Sequence, residues 1–269
     1  MRNMAASKQR PSLRVSCTNE GCSDKLTCRH LCPATTGSDR KHWNESCVCC
    51  SKEVSDVDAI GTSCTIPRAL AWLQHHYDQA VRNAISGALF DDLNKDEIEA
   101  YEHLDEKTLD RIYANVYEWL IAEGEIQVDG IIRRVSDLLF EADRPALNDA
   151  QRAWLGRLCA TPLRLYKVVN VACGRRMTLR DALNASSHLI TLHDTQAVVP
   201  GTVIGLRIKY ENGSSDLVGT AYRFSQEHAG YLLDWISDVV ELDTQPPSVE
   251  KLSFMIRRAW IAQFLKAHD

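Results

Sequence analysis

Eight cysteines crowd between residues 17 and 64 of a 269-residue chain that contains ten cysteines in all. This stretch is rich in Ser, Thr, Asn and Asp and poor in large aliphatic residues, so it buries too little apolar surface to offset the entropy lost on ordering. It therefore needs a cross-link, and the cysteines are the obvious source. They are Cys17, Cys22, Cys28, Cys32, Cys47, Cys49, Cys50 and Cys64.

The first ten residues lack the apolar core of a secretory signal, which predicts a cytoplasmic chain in a reducing compartment. Clustered thiolates there hold metal more often than they form disulfides. We expect one or two zinc ions, because zinc takes four Cys or His ligands and stabilises zinc-finger peptides by roughly 10–16 kcal/mol. Four disulfides or free thiols are the alternatives. His30 and His42 could substitute for a cysteine as ligands.

Part of this cluster, Cys47-Val-Cys49-Cys50-Ser51-Lys52, resembles the start of the SEC-C metal-binding motif, which is C-x-C-G-S-G followed by a second Cys-Cys or Cys-His pair. That motif occurs at the C-terminal tail of the SecA translocase and in many small bacterial proteins. The likeness implies one zinc held by three cysteines plus a Cys or His, and a docking role. Position 50 departs from the motif, and Cys64 alone stands for the distal pair, which leaves Cys47, Cys49 and Cys64 as implied ligands.

A second likeness covers roughly residues 67–232. The segments Tyr117-Glu-Trp-Leu-Ile-Ala-Glu-Gly-Glu and Leu165-Tyr-Lys-Val-Val-Asn-Val, with Leu179-Arg-Asp, are similar to bacterial proteins that carry a SEC-C motif ahead of a helical region and a small β-domain.

Periodicity predicts an α+β fold in five parts. These are a flexible arm at 1–16, the cysteine-rich zinc module at 17–66, a helical region with a β-hairpin at 67–160, a small antiparallel β-barrel-like domain with a closing helix at 161–245, and a C-terminal helix at 246–269.

Local signals place the element ends. Thr65 is expected to cap a helix that starts near Pro67, and Asn94 precedes a second helix. Asn148 with Gln151 predicts a capping box. The dipeptide Asp129-Gly130 predicts the tight turn of a hairpin.

Charge is unevenly distributed behind a net value of −5. Residues 67–160 carry ten Lys/Arg and eighteen Asp/Glu, whereas residues 161–224 carry eight and four. The acidic middle region suits a basic partner, and no apolar run is long enough to span a membrane.

The predicted barrel carries the most suggestive cations, and small barrels often bind single-stranded nucleic acid through basic, aromatic surfaces. Arg175, Arg176 and Arg180 flank one turn, and strand alternation places Arg207 and Lys209 on one face. The candidate stacking rings, which could instead belong to the core, are Tyr166, Tyr222 and Phe224. An ordinary solvated face is the alternative.

Other candidate chemistry is weaker. His75 and His76 point about 100° apart on a helix, so at most one faces a given site, and His188 and His193 fall on opposite faces of a strand. The acidic run 91–99 lacks the pattern of a calcium loop. Cys159 and Cys173 are expected to be packing thiols.

Three hypotheses follow. The first is a non-enzymatic zinc-binding adaptor that docks on a protein partner, since the sequence has no complete catalytic set. The second is a nucleic-acid-binding protein that uses the basic arm, the zinc module and the barrel. The third is a zinc-dependent enzyme, which needs an open coordination position that eight thiolates argue against.

Overall fold

The computed structural model describes residues 64–141, 145–172, 176–191, 198–211 and 214–265. Within them the protein is α+β, with seven helices, a two-stranded sheet and a closed five-stranded barrel. Seven of the eight clustered cysteines lie outside the described residues, as do His30, His42, Cys173, Arg175 and His193. The predicted arm and nearly all of the zinc module therefore stay predictions.

The first helix, α1, spans Thr65–Phe90 and kinks at Tyr77, whose φ is −139°. His76 Nδ1 lies 2.8 Å from the Trp72 carbonyl, so an imidazole competes for a carbonyl of the helical ladder beside the kink. Cys64 occupies the N-cap position and no side chain caps this end. The expected cap at Thr65 is therefore wrong: Thr65 is the first helical residue, and its side chain is buried.

Helices α2 (Lys95–Glu102) and α3 (Glu106–Glu123) follow, and their N-termini are held by polar side chains. Asn94 accepts from the Glu97 N–H at 3.0 Å while Glu97 accepts from the Asn94 N–H at 2.9 Å, so two orphan donors are satisfied. Arg258 then binds both carboxylate oxygens of Glu97 at 2.8 Å, which fixes α2 to the C-terminal helix.

The hairpin forms at the predicted dipeptide. Strands β1 (Glu125–Val128) and β2 (Ile131–Arg134) pair across Asp129 and Gly130, which adopt φ values of 51° and 81°. The short helix α4 (Val135–Phe140) follows directly, and α5 (Asp149–Ala160) starts from the predicted Asn148–Gln151 capping box.

Five strands make the barrel, in the order β3-β4-β5-β7-β6 with β6 returning to β3. Four of the neighbouring pairs are antiparallel, but β5 and β7 run parallel, paired at Ile190 and Ser215, so the all-antiparallel expectation is wrong at this seam. The strands are β3 (Leu163–Ala172), β4 (Arg176–Asp181), β5 (Ser187–Thr191), β6 (Val203–Glu211) and β7 (Ser214–Arg223).

Two helices complete the described chain. Helix α6 (Gln226–Asp243) begins at the Ser225 cap and ends at Thr244, which adopts a left-handed φ of 56°. Helix α7 (Val249–Leu265) packs against α6, β3 and α2. None of the described helices combines the length and the apolar character that a membrane crossing requires.

The barrel has two apolar faces with different neighbours. Its interior is a small cluster that includes Val168, Leu179 and Ile190. Leu163, Leu165 and Val203 point the other way and join the large core formed by the helices. The outer surface of β6, β7 and the first part of β3, at Leu163 and Leu165, is thus covered by helices, and this arrangement decides which barrel charges are exposed.

Candidate functional site

A buried ionic cluster lies where α3 meets the barrel. Arg207, on the helix-facing side of β6, is wholly buried, and so is Glu118 on α3. Arg207 Nε lies 3.7 Å from Glu118 Oε1, Nη2 pairs with Glu123, and Nη1 donates to the Thr161 carbonyl at 2.7 Å. One guanidinium therefore joins α3, β6 and the end of α5.

A bulge in β7 makes room for the Glu118 carboxylate. Gly205 pairs with Tyr222 and Arg207 with Val218, so three residues of β7 oppose one of β6. Gly219 lies within this bulge at a φ of 78°, and a Cβ there would lie 2.6 Å from Glu118 Cδ. Here glycine is required both by the backbone conformation and by the space that Glu118 occupies.

Burial raises the pKa of Glu118 to about 7, although the charge of Arg207 opposes this and so does the hydrogen bond from Thr220. Desolvation disfavours the charged carboxylate, which is why the pKa rises despite the nearby cation. The same burial raises the pKa of Tyr222, whose hydroxyl donates to the Asn115 carbonyl at 3.3 Å.

Helix α7 closes the cluster from its other side. The Ser253 hydroxyl donates to Glu123. The Arg257 guanidinium stacks 4.1 Å from the centroid of the Trp119 ring, and burial lowers its pKa. Arg207 thus links α3 to the barrel, while Ser253 and Arg257 link α7 to α3. We interpret the cluster as a structural junction.

The exposed cations of the barrel lie on the opposite side, on the outer surface of β3, β4 and β5. Arg176 and Arg180 are exposed and alternate with the buried Met177 and Leu179. Lys167 on β3 is exposed and lies directly opposite Arg180 in the antiparallel register. Across the part of the chain that the structure describes, no ion pair involves Lys167, Arg176 or Arg180. We call these three residues the basic sheet.

Apolar side chains lie next to these cations. Val169 is 45% exposed on β3 and Leu189 is 58% exposed on β5. Leu189 pairs with Thr178, the β4 residue between Arg176 and Arg180 on the outer face. The surface is therefore basic with an apolar middle and is open to solvent.

The predicted nucleic-acid residues that the structure describes fall into three groups by exposure. Arg176 and Arg180 are exposed on the basic sheet, whereas Lys209 is half-buried on β6. Arg207 cannot make an external contact because it is wholly buried between Glu118 and Glu123, so its assignment to this surface is wrong. Arg175 lies outside the described residues.

The candidate stacking rings are likewise unavailable. Tyr166, Tyr222 and Phe224 are at most 7% exposed and pack in the two cores, so their assignment to a stacking surface is wrong and the core alternative holds. Sequence reasoning missed Lys167 and Glu118. Alternation along β3 between buried Tyr166 and Val168 could have indicated an outward Lys167, and Glu118 shares a helix face with Asn115 and Ala122, both buried.

Two cysteines fall within the described residues. Cys64 is buried at the N-cap of α1, and Cys159 Sγ lies 3.6 Å from the Ile121 carbonyl. Burial raises the pKa of the Cys159 thiol to about 11, in keeping with its expected role as a packing thiol. In the described ranges no group of three or more His, Cys, Asp or Glu side chains could hold a metal ion.

The adjacent histidines of α1 are both exposed, but their rings lie closer than the 100° offset indicates. The ring centroids of His75 and His76 are 4.9 Å apart in an edge-on arrangement, and His76 also packs 4.4 Å from the Trp72 ring. The hydrogen bond of His76 to the Trp72 carbonyl beside the kink accounts for the position of that ring.

The chain matches no protein-family model, no curated protein and no solved structure. Its class rests on the geometry itself: an α+β protein whose barrel is covered by helices on one side and exposes a basic sheet on the other.

Proposed function

We propose that this protein binds single-stranded nucleic acid through the phosphate backbone, on the basic sheet. The observation that carries the proposal is the cross-strand pair of Lys167 and Arg180, two exposed cations that lie directly opposite each other with no ion pair to any described residue. Like charges in this position destabilise a sheet. A bound anion would remove that repulsion.

Phosphate oxygens are suitable partners for this surface. Lys and Arg side chains bind them through charge-assisted hydrogen bonds, and such contacts fix position without reading sequence. Exposed Val169 and Leu189 offer apolar area to sugars and bases. Because the barrel's rings are buried, base stacking contributes little and we expect weak sequence preference.

The position of the surface supports the same conclusion by analogy. Five-stranded barrels of the OB type bind oligonucleotides on the face of their second and third strands. The second and third strands of this barrel are β4 and β5, and β4 contributes Arg176 and Arg180. This is fold-level analogy, so the direct test below decides the question.

The test is fluorescence anisotropy of labelled DNA and RNA single strands, titrated with the full chain at several salt concentrations. Each phosphate contact contributes about −0.7 to the slope of log K against log salt. The triple variant Lys167→Gln/Arg176→Gln/Arg180→Gln should therefore lose about two units of slope. The matched control neutralises three exposed cations elsewhere, as Lys95→Gln/Lys107→Gln/Arg134→Gln, and should keep the wild-type slope. Equal slopes for both variants, or no binding to either strand, would overturn the proposal.

A second candidate function is a non-enzymatic zinc-binding adaptor docking on a protein partner. It is supported by the hairpin tip, where consecutive Ile131 and Ile132 are 65% and 68% exposed, an unusual surface for two adjacent isoleucines. Elemental analysis of the purified chain tests whether it binds zinc. One or two zinc ions per chain are expected, and a chain without zinc would contradict this candidate function. An X-ray absorption spectrum showing only sulfur and imidazole ligands would further exclude the zinc-enzyme alternative, because a catalytic zinc keeps a water.

A further inference from the structure

The solvent-facing side of α6 carries charges that no described residue neutralises. Asp234, Asp238 and Glu241 recur at steps of four and three, which places them on one face of the helix. All three are exposed, and in the described part of the chain none of them forms an ion pair. Like charges at this spacing destabilise a helix. We call these residues, with the neighbouring Leu242, the acidic face.

This face is partly apolar as well as acidic. Leu242 follows Asp238 by four residues and is 82% exposed, and Tyr231 precedes Asp234 by three residues and is 56% exposed. Helix α6 carries five acidic residues and no Lys or Arg. An occupant that matches it must therefore be basic and must also carry a few apolar side chains.

The chain itself contains a segment with that composition. Residues 1–16 hold four Lys/Arg and no Asp or Glu, together with Met1, Met4, Leu13 and Val15. The four cations are Arg2, Lys8, Arg10 and Arg14.

Chain length permits the contact. The segment from Cys17 to Ser63 separates this arm from α1. A body of about 200 residues has a radius of gyration of roughly 16 Å. An extended chain of sixteen residues spans up to about 50 Å, which exceeds the size of such a body even if residues 17–63 fold around zinc. Tethering also raises the local concentration of the arm to the millimolar range, so even a weak electrostatic contact is populated.

We propose that residues 1–16 dock on the acidic face of α6, within the same chain. The docked arm neutralises Asp234, Asp238 and Glu241 and covers Leu242. The contact does not depend on nucleic-acid binding by the basic sheet, which lies on the barrel. While docked, the arm does not contribute its cations to any other anionic partner.

The first test is zero-length carbodiimide cross-linking of the full chain at low salt, read by peptide mass spectrometry. Lys8 is the only lysine of the arm, so its cross-links are unambiguous. It should join Asp234, Asp238 or Glu241, and the product should disappear at high salt because screening weakens exposed pairs. A mixture of light and isotope-labelled chains distinguishes contacts within one chain from contacts between chains. Cross-links of Lys8 to other carboxylates only, or only between chains, would overturn the proposal.

The second test measures how fast trypsin cuts after Lys8 and Arg14 in the full chain. The variant Asp234→Asn/Asp238→Asn/Glu241→Gln should be cut roughly five- to tenfold faster than wild type, because three weak exposed pairs are lost together. The control Glu99→Gln/Glu102→Gln/Asp110→Asn removes three exposed carboxylates on α2 and α3 and should be cut at the wild-type rate. Equal rates for wild type and the α6 variant would contradict docking. All six positions are exposed, so the substitutions leave the core intact.

Discussion

Thr220 on β7 donates its backbone N–H to Glu118 Oε2 on α3 at 2.7 Å, across 102 positions of the chain. The bond exists because β7 bulges at Gly219 and turns a backbone donor out of the barrel ladder toward the helix. The Thr220 N–H thereby gives a hydrogen bond to a wholly buried carboxylate. The junction between the helices and the barrel depends on this contact and on Arg207, and three of the expectations below concern it.

Glu118→Gln should change how stability depends on pH. Burial raises the pKa of Glu118 from 4.5 to about 7, so the folded state binds this proton more tightly than the unfolded chain does. Protonation of Glu118 therefore stabilises the folded state. Its full contribution to the free energy of unfolding, up to about 3 kcal/mol, is present below pH 4.5 and is lost as pH rises through 7. Urea unfolding at pH 5 and pH 8 should show that the wild type loses more stability than Glu118→Gln over this interval. Parallel pH profiles for the two proteins would contradict a buried, titrating Glu118.

Gly219→Ala should destabilise the protein by about 2–4 kcal/mol, because it adds a Cβ against the Glu118 carboxylate to the strain of a positive φ. Gly201 is the matched control, since its φ is 93° and a Cβ there would meet nothing within 4 Å. Gly201→Ala should therefore lower stability by only about 1 kcal/mol, which is the cost of placing alanine at a positive φ. The two midpoints of chemical denaturation give the comparison; equal losses would mean that the Glu118 contact does not constrain Gly219.

Arg207→Ala should lower the free energy of unfolding by about 3–5 kcal/mol, because it leaves the wholly buried Glu118 and the partly exposed Glu123 without their shared cation. Arg82→Ala removes a solvent-exposed partner of Asp78 and should leave stability close to that of the wild type. Thermal and urea unfolding of the two variants measure the difference. A small loss for Arg207→Ala would show that the cluster relaxes or admits water.

Metal chelation should leave the helices and the barrel folded, because described residues outside the predicted zinc module build both apolar cores, apart from Cys64 and Ile66 at the start of α1. Amide hydrogen exchange, measured before and after treatment with a chelator, shows which segments lose protection when metal is removed. Protection should persist in α3, α7 and the barrel strands, while exchange within residues 17–63 should rise. Unchanged exchange in that segment would count against a zinc module, as would unchanged fluorescence from Trp43.

Local patterns in the sequence were sufficient for most of the secondary structure. Asn94, Asn148 and Ser225 start helices in the structure as the capping rule predicts, and Asp129-Gly130 turns a hairpin, because these signals act over three or four residues. The alternating pattern between 162 and 224 likewise predicted a small barrel, which the structure forms from five strands. The pattern did not predict that β5 and β7 pair in parallel, because pairing direction depends on how strands distant in sequence meet.

The sequence by itself determined which residues carry charge, and the alternation that places Arg176 and Arg180 on one side of β4. Only the tertiary structure decided that Arg207 is internal, because the helices cover β6 and two glutamates distant in sequence neutralise its charge. The same packing leaves β4, β5 and the part of β3 that follows Leu165 uncovered, and so exposes Lys167 beside Arg180. Alternation assigns a side chain to one of two strand faces, but which face meets solvent depends on the packing of the whole chain.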